Sequence, residues 1–311
     1  MCERQGADVA KPIPAESLHP GCTALLDQLG IGGRFRAADW PRYPGIEVAG
    51  QFHPFGSGAD GAWQGYHIGR TQFDSDLRAR AERLGVRIQR GVRVQGLLSE
   101  ERRVVGVNTA DGEVRARWVI DATGRHQWAA AKLGLRRRKC SVPLLAWRGE
   151  LEGRLSDRRA HFARHGSGWL WTAQTDDRTI TWTLLIPTSV APAILPPVLA
   201  GAPVKIRARG FDVTWRAVRP VARPGLLLVG DAAAQVDPAA GQGVFFALES
   251  GLRAAQTILA CSESPLSSAL LLANYDDWVM REFERKTEAL ASMYHDLGID
   301  VTGSGDQTDA G

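Results

Sequence analysis

Residues 225–255, GLLLVGDAAAQVDPAAGQGVFFALESGLRAA, decide the fold. Leu226 to Val229 reads as a short buried strand that stops at Gly230-Asp231. A loop with Pro238, Gly241 and Gly243 follows, and an apolar helix is predicted from near Gly243 to about Ala260. A carboxylate at a strand end, ahead of a glycine-lined helix start, is a site for a polar ligand. Asp231 can accept hydrogen bonds from sugar-type hydroxyls. The free N–H groups of a helix start carry about half a positive charge and favour anionic ligand atoms. Gly241 and Gly243 lack side chains, so a flat ring system can lie on the backbone. Ala247, Gly251 and Ala254 keep one helix face small.

The chain around this stretch has 311 residues, 44% hydrophobic and 23% charged, enough for one large or two medium domains. Its net charge of +4 is spread out. The densest basic run, Arg136 to Lys139, reads as a solvated face after a helix, so no nucleic-acid partner is expected. Cys2, Cys22, Cys140 and Cys261 have no C-x-x-C spacing, which suggests neither zinc nor a disulfide framework and fits a reducing cytoplasm. No signal peptide and no apolar run near the roughly 18 residues of a membrane span are read, so a cytoplasmic protein is expected. His161 and His165 are four apart, a metal-binding spacing on a helix, but no acidic or cysteine partner is read beside them, and no metal is expected.

In chain order, a helix is predicted from Pro20 to a cap at Gly30. Residues 34–69 are rich in aromatics, proline and glycine, with strands expected near Glu47 to His53 and Trp63 to Ile68. Phe73, Leu77, Ala81 and Leu84 recur at helical spacing behind Arg70, and Gly85 stops that helix. A strand is expected at Val86 to Gln89, then strands at Val92 to Leu98, Val104 to Asn108 and Val114 to Ile120, with a hairpin turn at Thr109 to Gly112. The last of these leads into Asp121-Ala122-Thr123-Gly124, a small-residue turn. From Ser141 to Pro220 an antiparallel sheet is expected, with strands near Leu144 to Leu151, Gly168 to Gln174, Ile180 to Ile186 and Phe211 to Arg216. Trp169, Trp171 and Trp182 are placed on one of its faces by alternation. One or two helices follow Leu270 to about Leu297, and a polar tail, 298–311, is expected to be disordered.

Four segments in this order resemble FAD-dependent monooxygenases of the p-hydroxybenzoate-hydroxylase type and the related flavin-dependent halogenases. They are Glu3-Arg4 with Glu16-Ser-x-x-Pro-Gly21, Arg70-x-x-Phe-Asp74, Asp121-Ala-Thr-Gly124, and Gly230-Asp231 with Pro238-x-x-Gly241-Gln242-Gly243. The resemblance implies a mixed α/β (α+β) fold. A Rossmann-like FAD-binding domain at 1–35, 70–135 and 221–262 is interleaved with an antiparallel β-sheet substrate domain at 36–69 and 136–220, and C-terminal helices occupy 263–297. The Gly-x-Gly-x-x-Gly unit of such families is not read upstream, so the FAD domain is expected to be N-terminally truncated. By the resemblance, Glu3 and Arg4 end the strand that holds the adenosine ribose, and Arg70 sits near the FAD. Ala122, Thr123 and Gly124 form a backbone crossing close to the cofactor. Gly230 and Asp231 bind the ribityl chain, and Pro238, Gly241, Gln242 and Gly243 place a helix start against the flavin pyrimidine.

The implied activity is oxidation of an aromatic, indole- or phenol-like substrate, either a small molecule or a protein side chain, through a flavin hydroperoxide. NAD(P)H or a partner flavin reductase is the expected electron donor. Halogenation is the alternative. In the halogenases an essential lysine precedes the substrate tunnel, and Lys11 and Lys132 are the only candidates before Lys139; neither is at a matching place. Reduction of a lipid-like double bond is a third flavin option, and a non-catalytic remnant acting as a binding protein is the reading from another class. No catalytic base is assigned.

Overall fold

The computed structural model describes residues 1–4, 6, 13–59, 61–157, 159–187, 199 and 201–301. Its largest sheet has seven strands, in the order Val204–Asp212, Leu144–Glu152, Thr179–Pro187, Gly168–Asp176, Ala160–His165, Gly45–Val48 and Gln51–Pro54. Every neighbouring pair is antiparallel except Ala160–Phe162 against Ile46–Val48. Thr179–Pro187 is buried along its whole length because both of its faces are covered. Ile180, Trp182, Leu184 and Ile186 pack in one cluster, while Trp169 and Leu185 join the main core on the other side.

That register corrects the single tryptophan face. Thr172 lies opposite Trp182, and Trp171 lies opposite Thr183. Side chains alternate across a strand, so Trp182 points to the face that Trp169 and Trp171 do not. The expected strand from Glu47 to His53 is a tight hairpin instead, reversing at Ala49 and Gly50, both at positive φ. Arg136–Lys139, following the helix Trp128–Lys132, is a strand paired with Arg216–Arg219, and its exposed residues Arg136 and Arg138 form the solvated face expected there. The expected strand at Phe211 to Arg216 accordingly divides between two sheets.

Two parallel pairs form the nucleotide-type part. Cys2–Glu3 pairs with Gln89–Arg90, and Val119–Asp121 with Leu226–Leu228. The strand read at Val86 to Gln89 is thus displaced to Gln89–Arg90, and the one read at Val114 to Ile120 is broken into Gly112–Arg115 and Val119–Asp121. A third small sheet orders Glu16–Leu18, Gly65–Ile68 and Arg42–Tyr43.

The described helices are α1 (Cys22–Gln28), α2 (Gly32–Ala37), α3 (Arg70–Arg83), α4 (Trp128–Lys132), α5 (Gly243–Glu263) and α6 (Ser268–Asp296). Gly30, at φ +70, ends the α1 segment as expected. α5 and α6 fold back on each other through the turn at Pro265–Ser267, with Phe246 and Trp278 stacked at 5.9 Å. α6 is one helix of 29 residues. By length and composition α5, with a mean hydropathy of 1.2, is long and apolar enough to cross a membrane, which the reading of the sequence did not find. In the fold it carries the Gly-Asp loop against its small face. The chain after α6 is not all loose, as had been expected: Ile299 and Val301 are buried, and the Val301 carbonyl accepts from Val142 N at 2.9 Å. Residues 302–311 lie outside the described residues, as does Lys11.

Candidate functional site

Two turns sit side by side at the carboxyl ends of the parallel strands Val119–Asp121 and Leu226–Leu228. In an open α/β sheet that is where a ligand crevice forms. The first turn is braced by buried Asp121. Its Oδ1 accepts from Thr123 N at 2.8 Å and its Oδ2 from Ala129 N at 2.8 Å, so one carboxylate shapes the Ala-Thr-Gly turn and holds the first turn of α4. Gly124 has φ +69 and open space where a Cβ would stand. Gln127 donates from Nε2 to the Asp231 carbonyl at 3.3 Å and ties this turn to the second.

The second turn is held from behind. Gly230 N donates to Ser250 Oγ of α5 at 2.9 Å, and Tyr275 OH of α6 donates to the Leu228 carbonyl at 2.9 Å. A Cβ on Gly230 would stand 3.3 Å from Ala247 Cβ, which explains the small residues at both positions. With the backbone fixed, the Asp231 side chain is left open to the cavity. It is exposed on the cavity side, with protein packed around its other sides. That burial, with the charge of Glu16 adding, pushes its carboxyl up to about 6 against the opposing charges of Arg125, Arg216 and Arg70.

Asp237 fixes the loop that follows. It accepts from Trp215 Nε1 at 2.6 Å, Tyr294 OH at 2.8 Å and Ala239 N at 2.8 Å, and Tyr294 OH also receives Trp169 Nε1 at 2.6 Å. One buried carboxylate thereby joins the large sheet, α6 and the start of Pro238–Ala240. Burial pushes it up to about 6, and its donors pull the other way. Gly241 then takes φ +59, and a Cβ at Gly241 or Gly243 would project into open space. Gln242 precedes α5 without a side-chain cap, and its Oε1 is buried without a partner.

The facing wall is built from charges. Glu16 Oε2 receives Arg70 Nη1 at 3.0 Å and Arg148 Nη1 at 3.2 Å. Arg70 also grips both carboxylate oxygens of Asp74 at 3.2 Å, and Arg148 donates to the Ala15 carbonyl at 2.9 Å. Burial works to raise the Glu16 carboxyl, but the charges of Arg148 and Arg70 outweigh it and hold the group below the usual carboxylate range. Ser17 lies beside it, 2.8 Å from His67 Nδ1. Burial pushes His67 down to about 4, so this imidazole is neutral at neutral pH.

Between these walls lies a cavity of about 540 Å³. Of the residues expected from the sequence, Arg70, Ala122, Gly124, Gly230, Asp231, Pro238, Gly241, Gln242 and Gly243 line it. Thr123 turns away, with its Oγ1 accepting from Trp128 N at 3.2 Å. Glu3 and Arg4 are not in the lining either. Glu3 faces Arg78 of α3 at 3.5 Å and keeps Oε2 buried and unpartnered. The sequence reading did not select Glu16, Arg148, Asp237, Phe246 or Lys286, all of which line the cavity. Glu16 stood inside a motif already noticed; the others carry no local signal.

His161 does have acidic neighbours, contrary to expectation. Asp157 Oδ1 is 2.8 Å from Nε2 and Glu47 Oε1 is 3.4 Å from Nδ1. One ligand atom from each of Glu47, Asp157 and His161 lies within 4.8 Å of the others, a spacing that could hold a metal ion, so the reading that no acidic partner stands beside His161 is corrected. Glu47 comes from a strand 114 residues away in sequence, brought in by the parallel pairing of His161 with it (161 − 47).

A crevice at parallel strand ends, with an unpaired aspartate, an uncapped helix start and open glycine backbone, defines a nucleotide-binding oxidoreductase fold of the flavoprotein kind. Residues 49–297 match the family model described as "Tryptophan halogenase", so the chain belongs to that family of FAD-dependent oxidoreductases. It is 30% identical over 294 residues to a menaquinone reductase of Mycobacterium tuberculosis, covering 84% of this chain and 70% of that protein. It is also 30% identical over 281 residues to a digeranylgeranylglycerophospholipid reductase of Methanopyrus kandleri, covering 79% of this chain and 72% of that one. Among solved structures, the flavin-dependent halogenase CmlS superposes with a TM-score of 0.85 at 21% identity, over 97% of this chain but 61% of its own length.

The residues present fit a flavin cofactor. The glycine positions leave room for a flat ring, the volume falls in the range of about 300–1,000 Å³ usual for such ligands, and Asp231, Gln242 Oε1 and the α5 start supply complementary polar groups.

Proposed function

We propose that this protein is an FAD-dependent monooxygenase acting on an aromatic, indole- or phenol-like substrate. The observation that supports it best is the convergence of Asp231, the Gly241–Gly243 backbone and Arg70 on one cavity. Asp231 accepts hydrogen bonds from the ribityl hydroxyls. The α5 start lies against the pyrimidine edge, where its dipole favours negative charge. The turn at Ala122, Thr123 and Gly124 lets the main chain approach the cofactor, and Thr123 shapes that turn from outside the cavity. Glu3, with one unpaired oxygen, and Arg4 serve the adenosine ribose end.

When bound, the flavin supplies the redox chemistry. The chain's own part is to orient the ring, exclude water and fix the charge around it. Arg70 and Arg148, locked by Glu16, form a rigid polar wall between α3 and the large sheet. Reducing equivalents come from NAD(P)H or a partner flavin reductase.

The two reductase relatives favour a second reading, reduction of an isoprenoid-type double bond. Product analysis separates the readings. The purified protein is loaded with FAD and supplied with a flavin reductase, NADH, oxygen and bromide, and then incubated with indole and phenol substrates or with an isoprenoid quinone. Oxygen incorporation supports the proposal. Bromide incorporation transfers it to halogenation. Quinone side-chain reduction without incorporation of oxygen or bromide replaces both.

A further inference from the structure

Lys286 of α6 is the residue in the cavity that the cofactor reading leaves unused. It is 6% exposed, its Nζ is buried without a hydrogen-bond partner, and it lines the same cavity as Asp231. The ammonium sits 3.9 Å from the centroid of the Phe246 ring, in the first turns of α5. A buried cation against a ring face without a hydrogen-bond partner is incompletely compensated. A buried charge is kept at a cost unless a counter-charge arrives.

The other cations differ. Arg70 and Arg148 are already paired with Glu16. Arg125 lies exposed over the ring of Phe211 at 4.8 Å. No carboxylate forms an ion pair with Lys286 among the described residues, although Glu282 of its own helix, Glu249 of α5 and Asp231 act on it from a distance, with Arg285 opposing. Oxidised FAD carries its negative charge on its phosphates, and a compact ammonium is a suitable point-charge partner for a phosphate oxygen.

We propose that Lys286 is a phosphate-binding residue of the cofactor cavity, an anchor on α6 that takes a phosphate oxygen of the flavin nucleotide. This rests on the FAD reading above. Burial pushes the ammonium down to about 8. Without ligand it is therefore protonated below that pH at a cost to stability, and the phosphate relieves the cost. Phosphate affinity then falls as pH rises through about 8, because the neutral amine attracts no anion.

The test uses apoprotein titrated calorimetrically with FAD and with riboflavin, for the parent, Lys286→Met and Lys286→Arg. The methionine variant is expected to bind FAD on the order of 10- to 100-fold more weakly, to bind riboflavin as the parent does, and to melt at a higher temperature than the parent without ligand. The arginine variant is expected to retain most of the FAD affinity. An unchanged FAD affinity in Lys286→Met overturns the proposal. Equal weakening for riboflavin, or a lower melting temperature of the apoprotein, also overturns it, since either marks a structural lysine. A parent that takes up neither flavin removes the cofactor reading itself and this inference with it.

Discussion

The two walls of the cavity are made in opposite ways. The wall of Asp121–Gly124 and Gly230–Gly243 is mostly backbone, shaped by carboxylates that point inward: Asp121 holds one turn and Asp237 the other. Its outward face keeps polar groups unspent, at Asp231 and Gln242. The wall of Glu16, Arg70 and Arg148 is all side chain, and its charges are spent on one another. The difference separates roles. The first wall is prepared to receive a ligand's hydroxyls and ring edge; the second is prepared not to move when the ligand arrives.

The largest break in that contrast is expected from Asp237→Ala. It strips the acceptor from Trp215, Tyr294 and Ala239 in a fully enclosed place, and a loss of about 3–4 kcal/mol in urea unfolding is expected. A loss under about 1 kcal/mol would mean that the loop stands without it. Asp231→Ala comes next and acts on the ligand alone. FAD affinity should fall by a factor on the order of 10 to 100 while the melting temperature of the apoprotein holds. Equal flavin content in variant and parent would show that the carboxylate does not face the ribityl chain.

Glu16→Gln tests the spent wall. It leaves Arg70 with Asp74 and Arg148 with the Ala15 carbonyl, so the cost is expected to be about 1–2 kcal/mol, reduced by the partial exposure of all three side chains. The parent's share of that stability follows the lowered Glu16 carboxyl: it is present above the ordinary carboxylate range and is lost as pH falls through the folded value. The smallest effect is the acid limb of FAD binding. Asp231, raised to about 6, is ionised above that pH, and protonation below it removes half of its acceptor capacity. Affinity should decline a few-fold, about 3-fold to 10-fold, between pH 7 and pH 5. In Asp231→Asn that limb should vanish; its persistence would assign the titration to another group.

The sequence was most legible where one short segment builds one feature. Leu226 to Val229, Gly230-Asp231 and the helix start at Gly243 fell where local pattern put them, because an apolar run, a positive-φ glycine and a missing side chain act within a few residues. It was least legible where partners come from afar. Alternation alone puts Trp182 on the wrong face, because it fixes sides only within a strand, while the register with Gly168–Asp176 fixes which side is which. His161 was read without Glu47 because a parallel strand pairing brings it in.

The sequence by itself determined a polar-ligand turn at Asp231, and its resemblance to flavoproteins implied the α/β fold around that turn. That information lies in contiguous residues with strict backbone requirements. Only the tertiary structure decided the facing wall, where Glu16, Arg70 and Arg148 meet, and the isolation of Lys286 beside Phe246. Whether a charge is paired or left waiting depends on what packs around it, and no stretch of sequence contains its own neighbours.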